Sequence, residues 1–200
     1  MSIKAVRARI RQRPWPILVA LLATAGLPAA SVRSSPPAAA LQDRAEIEEV
    51  VVGLANATDS RDWRGVEALL ADQVDLEYRT LTRDTPPIRQ RVSPAQFVVA
   101  SQGTLPGFLH TQHLIGNIVI RVEGKRAEVV SQVWMSHYLP ADQGPPYWNV
   151  AGTYRHDLVK TRSGWKISAM HVVILFETGN DRLQALAAER VRAGLIATAP

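Results

Sequence analysis

Two hundred residues, nearly half of them hydrophobic, are enough for one compact domain with a real core plus an appendage. The chain has no cysteine, which excludes disulfides, thiolate metal sites and cysteine nucleophiles. Its net charge of +5 misleads, because Lys4, Arg7, Arg9, Arg11 and Arg13 all precede the first acid, Asp43. Beyond residue 25, 18 basic residues face 18 acidic ones, so the domain has no basic excess with which to hold nucleic acid.

Residues 1–13 are basic, Pro16 to Ala25 is a short apolar run, and Ala23-Thr24-Ala25 offers a small-x-small cleavage site. This is the layout of a secretory signal over residues 1–25 and predicts export, periplasmic or secreted. An uncleaved anchor, which would place the chain on a membrane, and a start codon read too far upstream are the alternatives. Residues 26–41, rich in Ala, Ser and Pro, read as a disordered linker, leaving the folded domain at 42–200.

Asp43 and Glu46 suggest a capping box, followed by Ile47, Val50, Val51 and Leu54 at helical spacing. Ser60 and Asp62 open a second, short helix with Trp63, Val66, Leu69 and Leu70 on its apolar face. Val74 to Arg79 alternates as a strand. Thr82 to Arg91, polar and carrying Pro86-Pro87, reads as a loop. Ser93-Pro94-Ala-Gln96 starts a third helix, with proline at its first position and a glutamine three residues after the cap. Strands follow: Ile118–Val122, Ala127–Tyr138, Tyr147–Lys160 and Trp165–Phe176. Asn180-Asp181 then caps a last helix with Leu183, Leu186, Ala187, Val191 and Leu195 on one side.

Helices, then antiparallel strands, then a closing helix make an α+β fold. The expected form is a cone: a curved antiparallel or mixed sheet wrapped over three N-terminal helices, the C-terminal helix near the mouth of a ligand cavity.

Strand side chains alternate between faces, so His137 falls with Ala127, Val129, Ser131, Val133 and Met135 and is expected to point inward. There it is partly desolvated, which favours its neutral form. His113 stands at the mouth of the Ile118 strand, as a proton carrier or as a hydrogen-bonded packing residue. Asp59 lies just past the first helix, as a cap for the Asp62 helix or as a functional carboxylate. His110 and His113 face opposite sides of a strand, so they make no metal pair. His156 shares the Trp148, Val150, Tyr154 face, to line a cavity or to pack. His171 falls with Trp165, Ile167 and Val173, and reads as structural.

Four separated segments carry a resemblance: Asp59-Ser-Arg-Asp-Trp63, Leu76-Glu-Tyr-Arg-Thr80, Ser93-Pro-Ala-Gln-Phe97 and Thr111-Gln-His-Leu-Ile-Gly116. In order and spacing they resemble scytalone dehydratase and the wider SnoaL-like group of the nuclear-transport-factor-2-like superfamily. Gly164-Trp165-Lys-Ile also looks like the group's penultimate strand turn. The resemblance implies that His113 is a general acid–base, that Asp59 fixes its tautomer, and that His137 is the group's second histidine. It gives Tyr78 the role of the tyrosine that holds a water against the substrate carbonyl. The group's second tyrosine falls on Thr58, and its pocket serine and asparagine fall on Gly152 and Tyr154. These departures argue against scytalone itself as substrate.

The expected activity is therefore a cofactor-free, metal-free lyase of dehydratase type, acting on a small cyclic hydroxy-carbonyl or polyketide-like compound. Asp59, His113, Tyr78 and His137 are the candidate catalytic residues. Thr58, Tyr154, Phe97, Met135 and Trp148 are the candidate substrate-binding residues. An isomerase or a dehydrohalogenase could use the same pair, and a non-catalytic ligand-binding module of the same fold is the rival class. The resemblance also implies a homo-oligomer.

Overall fold

A computed structural model describes residues 37–81 and 84–197. The expected signal segment, residues 1–25, and most of the expected linker lie outside the described residues.

Helix α1 (Ala38–Asp59) buries Ile47, Val50, Val51 and Leu54, the helically spaced set seen in the sequence. It begins before the expected boundary, so residues 38–41 are helix rather than linker. Asp43 does not cap it. Its carboxylate sits inside the helix and accepts hydrogen bonds from Lys160 and from the Trp165 indole, tying α1 to the far end of the sheet. A tertiary partner has taken the side chain that a local cap would use.

Helix α2 (Trp63–Leu69) is capped by Asp62, which accepts from the Gly65 amide. Strand β1 (Leu70–Thr80) pairs with β2 (Ile88–Val92), all but the last residue of which falls in the stretch expected to be a loop. No apolar alternation marks β2; it is an edge strand held by its ladder and by Arg89–Glu77 and Arg91–Asp75 pairs across it. Helix α3 (Pro94–Gln102) carries the full Ser93/Gln96 capping box that the sequence predicts. A 3-10 turn (Leu105–Gly107) leads into β3 (His110–Glu123), β4 (Arg126–Tyr138), β5 (Tyr147–Thr161) and β6 (Gly164–Gly179), and helix α4 (Arg182–Arg192) closes the domain. Leu195 lies past the end of α4 and is exposed, so it does not share the helix's packed side.

The strands form one six-stranded sheet in the order β2-β1-β6-β5-β4-β3. Only the β1–β6 pairing is parallel; the rest are antiparallel. The sheet curves over the helices as the cone-shaped α+β fold expected, and among the described residues its register shifts in four places, the first in β1 between Leu70 and Asp75. Another lies at Asn117 in β3, where φ is 51° and the pairing slips between Gly116 and Val119. Two lie in β6, where the partners of Asp157 and Leu158, and those of Ala151 and Gly152, each skip one residue. The first of these switches the faces of β6. Trp165 and Ile167 point inward before it and Met170 and Val172 after it, leaving His171 on the outer surface, 3.8 Å from Glu77 and from Asp157. His171 therefore does not share the Trp165 face.

Two apolar clusters fill the concave side. The larger joins α1, α2 and α3 to the sheet around Ile47, Val51, Val129, Leu158 and Ile167. The smaller gathers Phe108, Leu139, Trp148, Val150, Leu183 and Ala187 beneath α4. Between them lies the site. Among the described residues no helix is long and apolar enough to cross a membrane.

Candidate active site

Asp59 is the last residue of α1, and the chain then reverses through Arg61 at φ 60°. Because Asp62 does the capping of α2, the Asp59 carboxylate is free to reach β3. Its Oδ1 lies 2.7 Å from His113 Nδ1 and accepts the Thr111 hydroxyl at 2.9 Å; its Oδ2 accepts the His113 backbone amide at 2.6 Å. Burial would push this carboxyl up, but the bonds and charge from His113 and the bond from Thr111 outweigh it and hold Asp59 below its ordinary value. An ionised carboxylate can only accept. The His113 proton therefore sits on Nδ1, and Nε2 carries the free lone pair.

Arg61 was not legible as part of the site. Its guanidinium donates to the Thr111 hydroxyl (2.7 Å) and to the carbonyls of Thr58, Asp59 and Leu105 at 3.0, 3.2 and 2.9 Å. It thus pins the end of α1, the 3-10 turn and the start of β3 around the carboxylate. Its left-handed backbone is a position glycine, asparagine or aspartate usually fills, so no sequence rule points to an arginine there.

His137 is buried and inward, as its alternation predicts. Its ring stands edge-on to His113 at 5.9 Å and stacks on Trp148 at 4.6 Å. Its Nδ1 lies 3.2 Å from the Trp148 carbonyl, so Nδ1 is the donor and Nε2 an acceptor. Burial, and then the neighbouring His113, push it down to about 4; it is neutral at physiological pH.

A cavity of about 420 Å³ opens beside these rings. Its size falls in the range of small-molecule sites. Tyr78, His113, His137, Thr58, Tyr154, Phe97, Met135 and Trp148 all line it, and Asp59 stands behind His113 rather than on the wall. Burial pushes the Tyr78 phenol up, and burial with Tyr78 and Asp59 nearby does the same to Tyr154. The Tyr154 hydroxyl donates to the Met135 sulfur at 3.3 Å. At Gly152, where the group has a serine, β6 passes close: a Cβ there would lie 2.4 Å from the Val173 carbonyl oxygen. Gln90 of β2, His156 of β5 and Gln184 of α4 also line the cavity. Gln90 was invisible to sequence reading because its strand was. Among the described residues no three His, Asp or Glu side chains group as metal ligands.

The description of the SnoaL-like domain family matches residues 39–171. Among solved structures, the Kfla4162 protein of Kribbella flavida is 27% identical, with a TM-score of 0.66 over 73% of this chain and 99% of that one. A scytalone dehydratase candidate from Novosphingobium aromaticivorans is 20% identical, TM-score 0.57, over 70% of this chain and 88% of its own. The hexachlorocyclohexane dehydrochlorinase LinA-type3 of Novosphingobium barchaimii is 15% identical, TM-score 0.56, over 71% and 92%. At those lower identities the likeness is one of fold. No curated protein matches the chain. With its cone-shaped sheet, its cavity and a family match that spans most of the described residues, the chain belongs to the SnoaL-like domain family of the nuclear-transport-factor-2-like fold.

Proposed function

We propose that this protein is a lyase that removes water, or another β-leaving group, from a small cyclic carbonyl compound. The observation that carries the reading is the 2.7 Å contact between Asp59 and His113 on the wall of a cavity. His113 Nε2 takes a C–H proton next to the substrate carbonyl, and Asp59 stabilises the imidazolium that results. The Tyr78 phenol, kept protonated by burial, donates to the oxygen on which enolate charge develops. As the enolate collapses, the β-hydroxyl leaves with the proton His113 holds, giving water and a C=C bond. His137 cannot donate through Nε2 while Nδ1 serves Trp148, so its part is to accept a hydrogen bond from a substrate hydroxyl and orient it. The chemistry asks no more of the chain than a base and aligned hydrogen bonds.

The same parts return the proton to a different carbon in an isomerase, or let halide depart without a proton. The dehydrochlorinase name among the structural neighbours supports that variant. We also read the N-terminal segment as an export signal, and the protein as a homo-oligomer. The test is to offer the full chain cyclic β-hydroxy-ketones, and then a cell extract, and to follow by mass spectrometry what binds and what loses one water. Binding in which every ligand is recovered with its mass and its chromatographic retention unchanged supports the carrier reading instead, whereas a shifted retention at constant mass marks the isomerase.

A further inference from the structure

Arg61 and Asp59 carry opposite charges and reach the same oxygen, the Thr111 hydroxyl, from either side. Among the described residues every hydrogen bond of the guanidinium goes to a neutral oxygen: that hydroxyl and the carbonyls of Thr58, Asp59 and Leu105. Every bond on the carboxylate comes from Thr111 or His113. The forked arginine–carboxylate pair, the strongest contact these two groups can make, does not close.

Thr111 is what stands in its way. It lies two residues before His113 on β3, so alternation sends both side chains to one face, toward the end of α1. A guanidinium has donors only and keeps its protons in a protein, so at 2.7 Å it donates to Thr111 Oγ1. The hydroxyl's single proton is then left for Asp59 Oδ1, 2.9 Å away. A group otherwise free to rotate is fixed in one direction. Oδ1 keeps another lone pair for the His113 ring, and Oδ2 holds the His113 amide. A direct fork from Arg61 would claim both oxygens.

We infer that Thr111 is a positioning residue of the site: its hydroxyl stands between Arg61 and Asp59, passes one hydrogen bond from cation to carboxylate, and keeps that carboxylate turned to His113 Nδ1. Each member of the chain has its role set by the next. Arg61 donates only, Thr111 relays, Asp59 accepts only, and the His113 proton stays on Nδ1, which leaves the lone pair on Nε2. The bearing on catalysis rests on the reading of His113 as the base, but the arrangement itself is measured without turnover. With the hydroxyl gone, attraction between the charges draws the carboxylate to Arg61 and away from the ring.

Thr111→Val keeps the β-branched shape that suits a strand and removes the hydroxyl. The full chain is labelled with nitrogen-15 histidine, and the His113 ring resonances are read in alkaline buffer, where the ring is neutral. Thr111→Val should lower the ratio of the Nδ1–H to the Nε2–H form at least about 10-fold, the worth of one hydrogen bond to a charged group. Thr111→Ser should keep the wild-type ratio. Adding Arg61→Met to Thr111→Val should restore it, because no cation is left to take the carboxylate. A ratio unmoved by Thr111→Val, lost in Thr111→Ser, or as low in the double variant as in the single one overturns the inference. If Thr111→Val does not fold, the wild-type chain decides. Its Thr111 hydroxyl proton must give a resonance protected from exchange with water, and a hydroxyl that exchanges freely overturns the relay. The lyase reading fails separately, through turnover left unchanged by Asp59→Asn.

Discussion

Asp59 grips His113 twice: Oδ1 meets the ring Nδ1 at 2.7 Å while Oδ2 accepts the same residue's backbone amide at 2.6 Å. The carboxylate thus ties the end of α1 to the backbone of β3 as well as fixing which nitrogen of the ring bears the proton. Asp59→Asn keeps the shape but presents an amide able to donate, which allows the other tautomer and takes the lone pair off Nε2. His113→Gln removes the base. Either change is expected to lower kcat/KM by about 10²–10⁴-fold with little loss of fold, checked by steady-state rates beside circular dichroism.

Arg61 holds four oxygen acceptors from a strained backbone, and the two effects separate by mutation. Arg61→Ala loses the bonds and keeps the left-handed conformation, so it should cost about 1–3 kcal/mol. Arg61→Gly loses the same bonds but relieves the conformation, and should be the more stable of the two by about 1 kcal/mol. Denaturant unfolding measures both.

Acid should destabilise the domain well before its carboxylates titrate. His137 and His156 are held near 4 in the fold against an ordinary 6.5, so between those values the unfolded chain binds protons that the folded chain refuses. Stability is full above about pH 6.5 and falls as pH drops, by about 3 kcal/mol for each ring at pH 4. Asp59, held below its ordinary value, adds a loss of the same sign at lower pH still. Unfolding free energy measured from pH 8 to pH 4.5 should show the slope, and His156→Phe should roughly halve it.

Restoring the group's serine at position 152 should do harm. The Cβ that Gly152→Ser adds would overlap the Val173 carbonyl, backbone against backbone, where no side chain can yield. A loss of about 1–3 kcal/mol is expected, read as a lower melting temperature.

The outer face carries a cross-strand row of Leu114, Trp134, Ala151 and Phe176. Its three large members are exposed, and Trp134 stands edge-on to Phe176 at 6.2 Å. If copies of the chain associate through this row, Trp134→Glu should shift the molar mass measured by light scattering to that of a single chain; an unchanged mass places the contact elsewhere.

Local rules reached a good deal of this. The Ser93 capping box, the Asp62 cap, the apolar stripe of α1 and the inward set of β4 depend on neighbours one to four residues away, and the sequence by itself determined them. It also determined that an acid at the end of one helix and histidines on two later strands would be on hand for a cavity. Only the tertiary structure decided the rest. β2 exists because β1 offers it a ladder, and no pattern of its own announces it. His171 is outside because one extra residue in β6 turns over the side chains that follow it as far as the second bulge, and alternation counted along the chain cannot register a bulge. Asp43 abandons its cap for partners more than a hundred residues away, and Arg61 shares the Thr111 hydroxyl with the Asp59 carboxylate because β3 brings Thr111 between them. Contacts of that range are set by how strands bend and pair, which is a property of the folded sheet and not of any window of residues.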